Sequence, residues 1–273
     1  MKFSILMSVY AKDQPNFLKE CLQSLLEQTL VADELVLVED GKITNELNLV
    51  INDYRELLNV ISVKLLTNSG LAVALNEGLK HCKHDLVARM DADDVALPQR
   101  FEKQVIEFGE KKSLDILGGF AQEICLNGVV GNIRVMPSTH EDIYINLFSC
   151  PLIHPTVMYK KKSILNVGGY NPDLNRRQDY ELWFRCAKAG YVFKNIPDTL
   201  ILYRFSGETH KRQSTKNLLK QGQIGFSGVR NLNQPLWKSI AAFYPLVRSL
   251  LPGSLEHFIY KLSKKFDPRQ RGK

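Results

Sequence analysis

Two hydrophobic periodicities alternate through the first hundred residues, and this alternation constrains the fold more than any other feature of the chain. Apolar runs typical of short strands occur at FSILMSVY, ELVLVED, VISVKLL and DLVARM. Between these runs, apolar residues recur at helical spacing, as at Leu18, Leu22 and Leu25. Strands that alternate with helices indicate βαβ units. The predicted fold class is therefore α/β, a Rossmann-like three-layer αβα sandwich with a mostly parallel central sheet.

The pattern is less regular after about residue 100. Phe101, Val105 and Phe108 predict a helix, and ILGGFAQEICLNGVVGNIRVM predicts strands that turn at Asn127-Gly128. The stretch QDYELWFRCAKAG predicts a strong helix that stops at Gly190. Beyond Arg204 the helical patterns are weaker and the chain becomes basic.

Charge and cysteine usage exclude some classes of protein. The chain has a net charge of +7, and after residue 210 only Glu256 and Asp267 oppose the lysines and arginines. Such a basic end is typical of nucleic-acid binding, of attachment to an anionic membrane, or of a solvated terminus. The five cysteines form no CxxC pair, which argues against a zinc site or a disulfide framework and fits a reducing compartment. No signal peptide is visible, and no run approaches the roughly 20 apolar residues of a spanning helix.

Three carboxylates, Asp91, Asp93 and Asp94, follow the fourth predicted strand directly. In open α/β sheets ligands bind outside the carboxyl ends of the strands, where Tyr10, the VEDG turn and the NSG turn also fall. Hard dications prefer carboxylate oxygens, and a bound dication removes the repulsion within such a cluster. The sequence therefore predicts a Mg²⁺ or Mn²⁺ site at this edge of the sheet.

Other interpretations of the acidic cluster fit less well. An EF-hand loop that begins at Asp91 would have Ala96 where glycine is required, and Pro98 would interrupt it. A phosphatase-type aspartate nucleophile would be expected after the first strand, followed by threonine, and neither condition holds. The simplest alternative is a solvated turn in which Asp94 caps the helix that starts near Pro98. The convergence of four loops favours a binding site.

The ordered set SILMSVY, VEDG, NSGLAVALNEGL, MDADD and QDYELW resembles the family 2 glycosyltransferases with the GT-A fold. The likeness covers about residues 3–205 and is closest to the bacterial enzymes that build the repeat units of surface polysaccharides, such as O-antigen. It implies a nucleotide-sugar-binding half at residues 1–97 and an acceptor-binding, catalytic half at residues 98–210. Residues 211–273 would add a basic amphipathic helical extension.

The resemblance implies a donor site built from the first three strand ends. Tyr10 would line the nucleobase pocket, and Asp40 would accept a hydrogen bond from the base. Asn68 and Gly70 would let the chain approach the nucleotide closely. Each position also has a structural interpretation, because Asp-Gly is a routine turn pair and the NSG stretch could be a helix N-cap.

The resemblance also implies roles around the diphosphate. Asp91 would contact the ribose, and Asp93 would hold Mg²⁺ or Mn²⁺. Arg89 would reach the sugar or a phosphate, with an ion pair to Asp91 as the alternative. His210 would complete the metal shell from the C-terminal side.

The catalytic base of the family lies in an acidic pair that opens a later helix. Asp179 takes the second place of that pair here, and Gln178 stands where glutamate is usual. A carboxylate within reach of the acceptor hydroxyl can remove its proton as it attacks. Glu181 is the alternative base. His154 and Gly169 fall where family members shape the acceptor side, and a histidine before proline is also compatible with a structural role.

The expected function is a metal-dependent inverting transfer of a hexose from a nucleotide sugar, most simply a UDP-sugar, to a glycan or an undecaprenyl-diphosphate-linked acceptor. The expected location is the cytoplasm. The aromatic and basic C-terminal segment predicts peripheral attachment to the anionic inner face of the plasma membrane. No nucleic-acid partner is expected, because the acidic cluster would repel phosphates without a metal and the chain lacks an RNP signature. A nucleotidyltransferase and a nucleic-acid-binding α/β protein remain the alternatives.

Overall fold

The computed structural model describes residues 1–205 and 214–251. Nine strands form one sheet in this part of the chain. In chain order they are β1 (Ser4–Val9), β2 (Glu34–Glu39), β3 (Val60–Lys64), β4 (Leu86–Arg89), β5 (Val95–Ala96), β6 (Leu114–Ile124), β7 (Val130–Arg134), β8 (Met158–Lys160) and β9 (Val192–Arg204).

Helices connect and follow these strands, and their positions agree with the periodicities of the sequence. The helices of the first 205 residues are α1 (Pro15–Leu26), α2 (Asn45–Tyr54), α3 (Leu71–His81), α4 (Arg100–Glu110), α5 (His140–Ile145), α6 (Lys161–Asn166) and α7 (Gln178–Lys188). After the gap follow α8 (Thr215–Asn231), α9 (Leu236–Ala241) and α10 (Tyr244–Ser249). None of the helices in these two described segments combines the length and the apolar character needed to cross a bilayer.

The first half of the sheet is parallel, with the order β3-β2-β1-β4. Beyond β4, the short strand β8 pairs antiparallel with both β4 and β6. The remaining order is β6-β9-β5, and β7 pairs with β6 as the hairpin predicted at Asn127-Gly128. β6 and β9 run parallel along most of their length. The sheet thus joins a βαβ half to a mixed half without a break.

Helices cover both faces of the sheet, so the predicted three-layer α/β sandwich is confirmed. One core lies under α1, α2 and α4 and includes Leu22, Ile51 and Phe101. The other core lies under α3, α5 and α7 and includes Leu75 and Trp183. Because consecutive strand residues point to opposite faces, each strand contributes side chains to both cores.

The C-terminal helices pack on the second core instead of standing free. Along the face that α8 turns inward are Gly222, Gly225 and Gly228, and each lies close against an aromatic or small side chain. A Cβ at Gly228 would overlap the ring of Phe184 on α7. The absence of side chains at Gly225 and Gly228 lets α8 lie directly on α7. The expected helical extension is present in the described part of residues 211–273.

Gly228→Ala should destabilise the protein, because the added methyl meets a buried ring that cannot swing away. Overpacking of this kind costs about 1–3 kcal/mol. The control is Gly109→Ala on α4, where an added Cβ has no neighbour within 4 Å. That substitution should stabilise by about 0.5–1 kcal/mol through helix propensity. Urea unfolding measures both, and equal effects of the two substitutions would contradict the tight packing of α8.

Candidate functional site

The carboxyl ends of β1, β2 and β4 lie side by side, which brings the predicted site residues to one edge of the sheet. Parallel registers pair Val9 with Glu39 and Leu6 with Arg89. Tyr10, Asp40 and the acidic cluster follow these ends immediately. The convergence of loops expected from the sequence is therefore present in the fold.

Asp91, Asp93 and Asp94 form one cluster, in which a carboxylate oxygen from each lies within 4.8 Å of the others. Their environments differ. Asp91 is half-buried and forms an ion pair with the fully buried Arg89, which was the alternative role for that arginine. The Arg89 Nε has no hydrogen-bond partner among the described residues. The guanidinium therefore holds Asp91, and its Nε is a buried donor without a partner in the described part of the chain.

Asp94 is the buried member of the cluster, and it is held by the far end of the sheet. Its Oδ1 accepts a 2.8 Å hydrogen bond from the backbone N–H of Arg204, on β9. The Arg204 side chain donates from Nε to the Asp93 carbonyl at 2.7 Å, pairs with Glu20 and stacks on the ring of Phe17. Burial and the charge of Asp91 raise the pKa of Asp94 well above its usual range. Asp94 thus anchors the loop, and it does not cap α4.

Asp93 is the exposed member and is the one whose carboxylate is open to a ligand. Desolvation and the charge of Asp91 raise its pKa to about 6. An oxygen-only donor set with one open carboxylate fits a hard dication that completes its shell with other oxygens. Asp93, with support from Asp91, is therefore the residue that would hold Mg²⁺ or Mn²⁺. His210 lies outside the described residues.

A fourth carboxylate, Asp13, faces the same edge and was not selected from the sequence. Its Oδ2 accepts a 2.9 Å hydrogen bond from the backbone N–H of Tyr10. Burial raises the pKa of Asp13 to about 7, and the charges of Asp93 and Asp91 add to the rise. Burial raises the pKa of the partly exposed Tyr10 phenol, and the charges of Asp13 and Asp93 add to the rise. Tyr10 therefore stands beside the acidic cluster, as expected for a residue of the site.

Asp40 organises the loop that follows β3. Its two carboxylate oxygens accept hydrogen bonds from the N–H groups of Ser69 and Gly70, at 2.6 and 3.0 Å. Asn68 Nδ2 donates to the Asp40 carbonyl at 3.2 Å. Because the carboxylate uses these amides, they are occupied within the protein. The structure brings Asp40, Asn68 and Gly70 together, and their contacts with a base or nucleotide stay predictions.

Asp179 lies in the first turn of α7, and Arg177 before it adopts the left-handed conformation. Burial raises the pKa of Asp179, while the charges of Arg177 and Arg89 and the N–H of Tyr180 oppose the rise. The alternative base, Glu181, is committed elsewhere, since both of its oxygens bind Arg185 at 2.7–2.8 Å. Of the two carboxylates of α7, Asp179 is the one that remains available to accept a proton.

Arg89 connects the acidic cluster with α7. Its charge acts on the pKa of both Asp93 and Asp179, so it lies within electrostatic range of the two. It also contributes to the lowered pKa of His154, after the larger effect of burial. The predicted metal ligand and the predicted base are thus gathered around one buried guanidinium.

The predicted acceptor-side residues form a rigid support. His154 Nε2 lies 2.9 Å from the Tyr170 hydroxyl, and its ring packs edge-on to Trp183. Asn76 on α3 binds the backbone of Tyr170 through both its oxygen and its nitrogen, at 2.7 and 2.6 Å. Gly169 has a φ of +69°, and a Cβ there would lie 2.5 Å from the Asn76 oxygen. His154 and Gly169 fix this turn, and their contact with an acceptor stays a prediction.

Sequence reasoning missed Arg204, Asp13 and Asn76. Asp13 follows the first strand by only a few residues, so its place at the edge of the sheet was a signal that could have been used. Arg204 and Asn76 act through contacts with residues more than 90 positions away. No local sequence pattern predicts such contacts.

Comparison with known proteins decides the family. The profile described as "Glycosyl transferase family 2" matches residues 4–168. The chain belongs to this family. It is 41% identical over 214 residues to the Escherichia coli UDP-Gal:alpha-D-GlcNAc-diphosphoundecaprenol beta-1,3-galactosyltransferase, covering 78% of this chain and 77% of that protein. It is 33% identical over 267 residues to the amylovoran biosynthesis glycosyltransferase AmsE of Erwinia amylovora, covering 96% and 99%.

The fold of this family 2 glycosyltransferase also matches a solved structure. S. aureus TarS 1–349 in complex with UDP-GlcNAc superposes with a TM-score of 0.69 at 18% identity, covering 91% of this chain and 72% of TarS. The GT-A fold implied by the sequence resemblance is confirmed. The alternatives of a nucleotidyltransferase and of a nucleic-acid-binding protein are not supported by the family assignment.

Arg204→Gln should weaken Mn²⁺ binding, because the Asp93 carbonyl loses its hydrogen bond from Arg204 Nε and the acidic loop is held less firmly. Arg134→Gln is the matched control, since Arg134 also pairs with a glutamate and covers a ring but bonds no residue of the acidic loop. Isothermal titration with Mn²⁺ should show a loss of about tenfold for Arg204→Gln only, the equivalent of one charge-assisted hydrogen bond. Equal losses in both variants would contradict a specific role for Arg204.

Proposed function

We propose that this glycosyltransferase moves a hexose from a UDP-sugar, with inversion, to a hydroxyl of a lipid-linked glycan that becomes a bacterial surface polysaccharide. The main support is the placement of the acidic cluster and Asp179 around Arg89 at one edge of the sheet. An open carboxylate that suits a diphosphate-bound cation and a carboxylate that suits a proton therefore lie within electrostatic range of the same guanidinium. This is the pair of groups that transfer from a nucleotide sugar requires.

The donor side consists of the first three strand ends. Tyr10, Asp40 and the loop at Asn68–Gly70 would line the nucleoside site, and Asp91 would contact the ribose. Asp93 would hold Mg²⁺ or Mn²⁺, and a bound dication supplies positive charge to the diphosphate as it leaves. Arg89 would act on the sugar or a phosphate oxygen through its buried positive charge. The TarS complex with UDP-GlcNAc and the name of the E. coli relative support a UDP-linked donor.

Asp179 would act as the general base. Its carboxylate would take the proton of the acceptor hydroxyl while that oxygen bonds to the anomeric carbon and the bond to the nucleotide diphosphate breaks. One displacement from the face opposite the leaving group gives inversion. The raised pKa of Asp179 makes its carboxylate a better proton acceptor than an ordinary aspartate.

The acceptor would be a sugar linked by diphosphate to a polyprenol such as undecaprenol, or a longer glycan on the same carrier. The E. coli relative is named for such an acceptor, and the Erwinia relative for the synthesis of a polysaccharide. The turn fixed by His154 and Gly169 lies beside α7, where an acceptor sugar would approach Asp179.

An exposed apolar stripe on α9 and α10 supports binding to a membrane surface. Its members lie at helical spacing and are Leu236, Trp237, Ile240, Tyr244, Val247 and Leu250. The sequence after residue 251 adds a basic run of Lys261, Lys264, Lys265, Arg269, Arg271 and Lys273. Apolar side chains with cations suit the headgroup region of an anionic leaflet. We place the enzyme at the cytoplasmic face of the plasma membrane, where lipid-linked acceptors are extended.

Two substitutions test the proposed chemistry. Asp93→Ala should abolish the Mn²⁺-dependent part of UDP binding, because it removes the open metal ligand. Asp179→Asn should keep UDP affinity and lower kcat by about 100-fold or more, the usual contribution of a general base. Asp173→Asn, in the exposed loop before α7, is the control and should leave both unchanged. Calorimetry with UDP and a transfer assay across UDP-, GDP- and dTDP-sugars give the readouts. Normal turnover by Asp179→Asn would refute the base assignment.

Membrane attachment is tested by flotation of the full chain with vesicles that contain phosphatidylglycerol. Ile240→Ser with Val247→Ser should reduce the bound fraction by about tenfold or more, because two apolar side chains no longer enter the lipid. The control pair is Leu49→Ser with Ile106→Ser, which are equally exposed on the other side of the sheet. If both pairs float like the unchanged protein, α9 and α10 do not contact the membrane.

A further inference from the structure

Two adjacent arginines stand out from the other arginines of residues 1–205. Six of the eight arginines in this range make ion pairs or side-chain hydrogen bonds: Arg55, Arg89, Arg100, Arg134, Arg185 and Arg204. Arg176 and Arg177 make none within the described residues. Both stand immediately before α7, one and two residues from its first residue. The guanidinium donors of both arginines are therefore available to an anionic ligand.

Both arginines lie within electrostatic range of residues of the candidate site. The charge of Arg177 is the largest of the effects that lower the pKa of Asp179. The charge of Arg176 acts on Tyr10, at the end of β1. One arginine is therefore near the proposed base and the other is near the donor entrance.

The backbone holds the pair in place. Arg185 donates to the carbonyls of Val167 and Gly169, which fixes the chain before the pair. The helix α7 fixes the chain after it. Arg177 itself has φ +63°, a left-handed conformation that costs a residue with a Cβ about 1–2 kcal/mol. Strain of this kind is typical of residues whose side chain is needed in one place.

We propose that Arg176 and Arg177 bind a diphosphate. The edge of the sheet carries Asp13, Asp91, Asp93 and Asp179, and Arg89 is already paired with Asp91. A diphosphate that approaches this edge meets mostly negative charge, and the arginine pair before α7 supplies two cations next to it. Adjacent guanidinium groups match phosphate oxygens with several parallel N–H donors. A single carboxylate would leave one arginine unsatisfied.

The inference deepens the proposed function and rests on it for the source of the ligand. The donor carries a diphosphate that becomes the leaving group, and a lipid-linked acceptor carries another next to its first sugar. The chemistry recognised is the same in both cases. The position of Arg177 next to Asp179 favours the acceptor, and that of Arg176 near Tyr10 favours the donor.

The test uses the full chain and the double variant Arg176→Gln with Arg177→Gln. A control double variant, Lys188→Gln with Arg230→Gln, removes the same charge from exposed positions. Titration with inorganic pyrophosphate and Mg²⁺ gives a binding constant that needs no catalysis. We expect the first variant to lose about tenfold or more in affinity, and the control to stay within twofold. Arg177→Gly separates binding from folding, because glycine suits φ +63° and should keep or raise stability while affinity falls.

Two further measurements identify which molecule, donor or acceptor, carries the bound diphosphate. A tenfold rise in the Kd for UDP assigns the pair to the donor. A tenfold rise in the acceptor KM for a diphosphate-linked sugar, without a change for the same sugar on a single phosphate, assigns it to the acceptor. Affinities for pyrophosphate, UDP and both acceptors that match those of the control would overturn the proposal. If the unchanged protein transfers no sugar but the pyrophosphate arm responds, the proposed function fails while the diphosphate site stands.

Discussion

The ion pair between Arg89 and Asp91 is the interaction on which the rest of the site depends. A fully buried guanidinium at the end of β4 is costly unless an anion compensates it. Asp91 provides that anion at the entrance of the site, and the remaining field of Arg89 extends to Asp93 and Asp179. One buried cation thus stabilises a group of carboxylates that would otherwise repel one another. Removal of Arg89 would disturb the donor side and the catalytic side together.

The three aspartates of the acidic loop have separate tasks, and their burial shows which task each has. Asp91 compensates Arg89, Asp94 ties the loop to β9 through the backbone of Arg204, and Asp93 stays open to solvent. The same residue type can therefore serve as counter-ion, anchor and ligand within four positions. Because only one of the three is free, a mutational scan should find that their losses differ in kind, affecting folding in one case and ligand binding in another.

The βαβ half was predictable because its information is local. Helical and strand periodicities are visible within ten residues, and parallel strands place their ends at one edge whatever the details of packing. Arg204 could not be found in this way, since its contacts with Asp94 and Glu20 span 110 and 184 residues. The strand β9 was not recognised either. It is 13 residues long, contains Pro197 and lacks a clean alternation of buried and exposed positions.

The glycine stripe of α8 has a practical consequence for anyone who shortens this protein. Gly225 and Gly228 lie against Tyr180 and Phe184, which are aromatic residues on the helix that begins with Asp179. A polypeptide cut before Thr215 would leave those rings facing water and would invite aggregation. Loss of activity in such a fragment would then report a damaged helix rather than a missing lipid anchor. Truncations intended to probe the tail should therefore begin after residue 251.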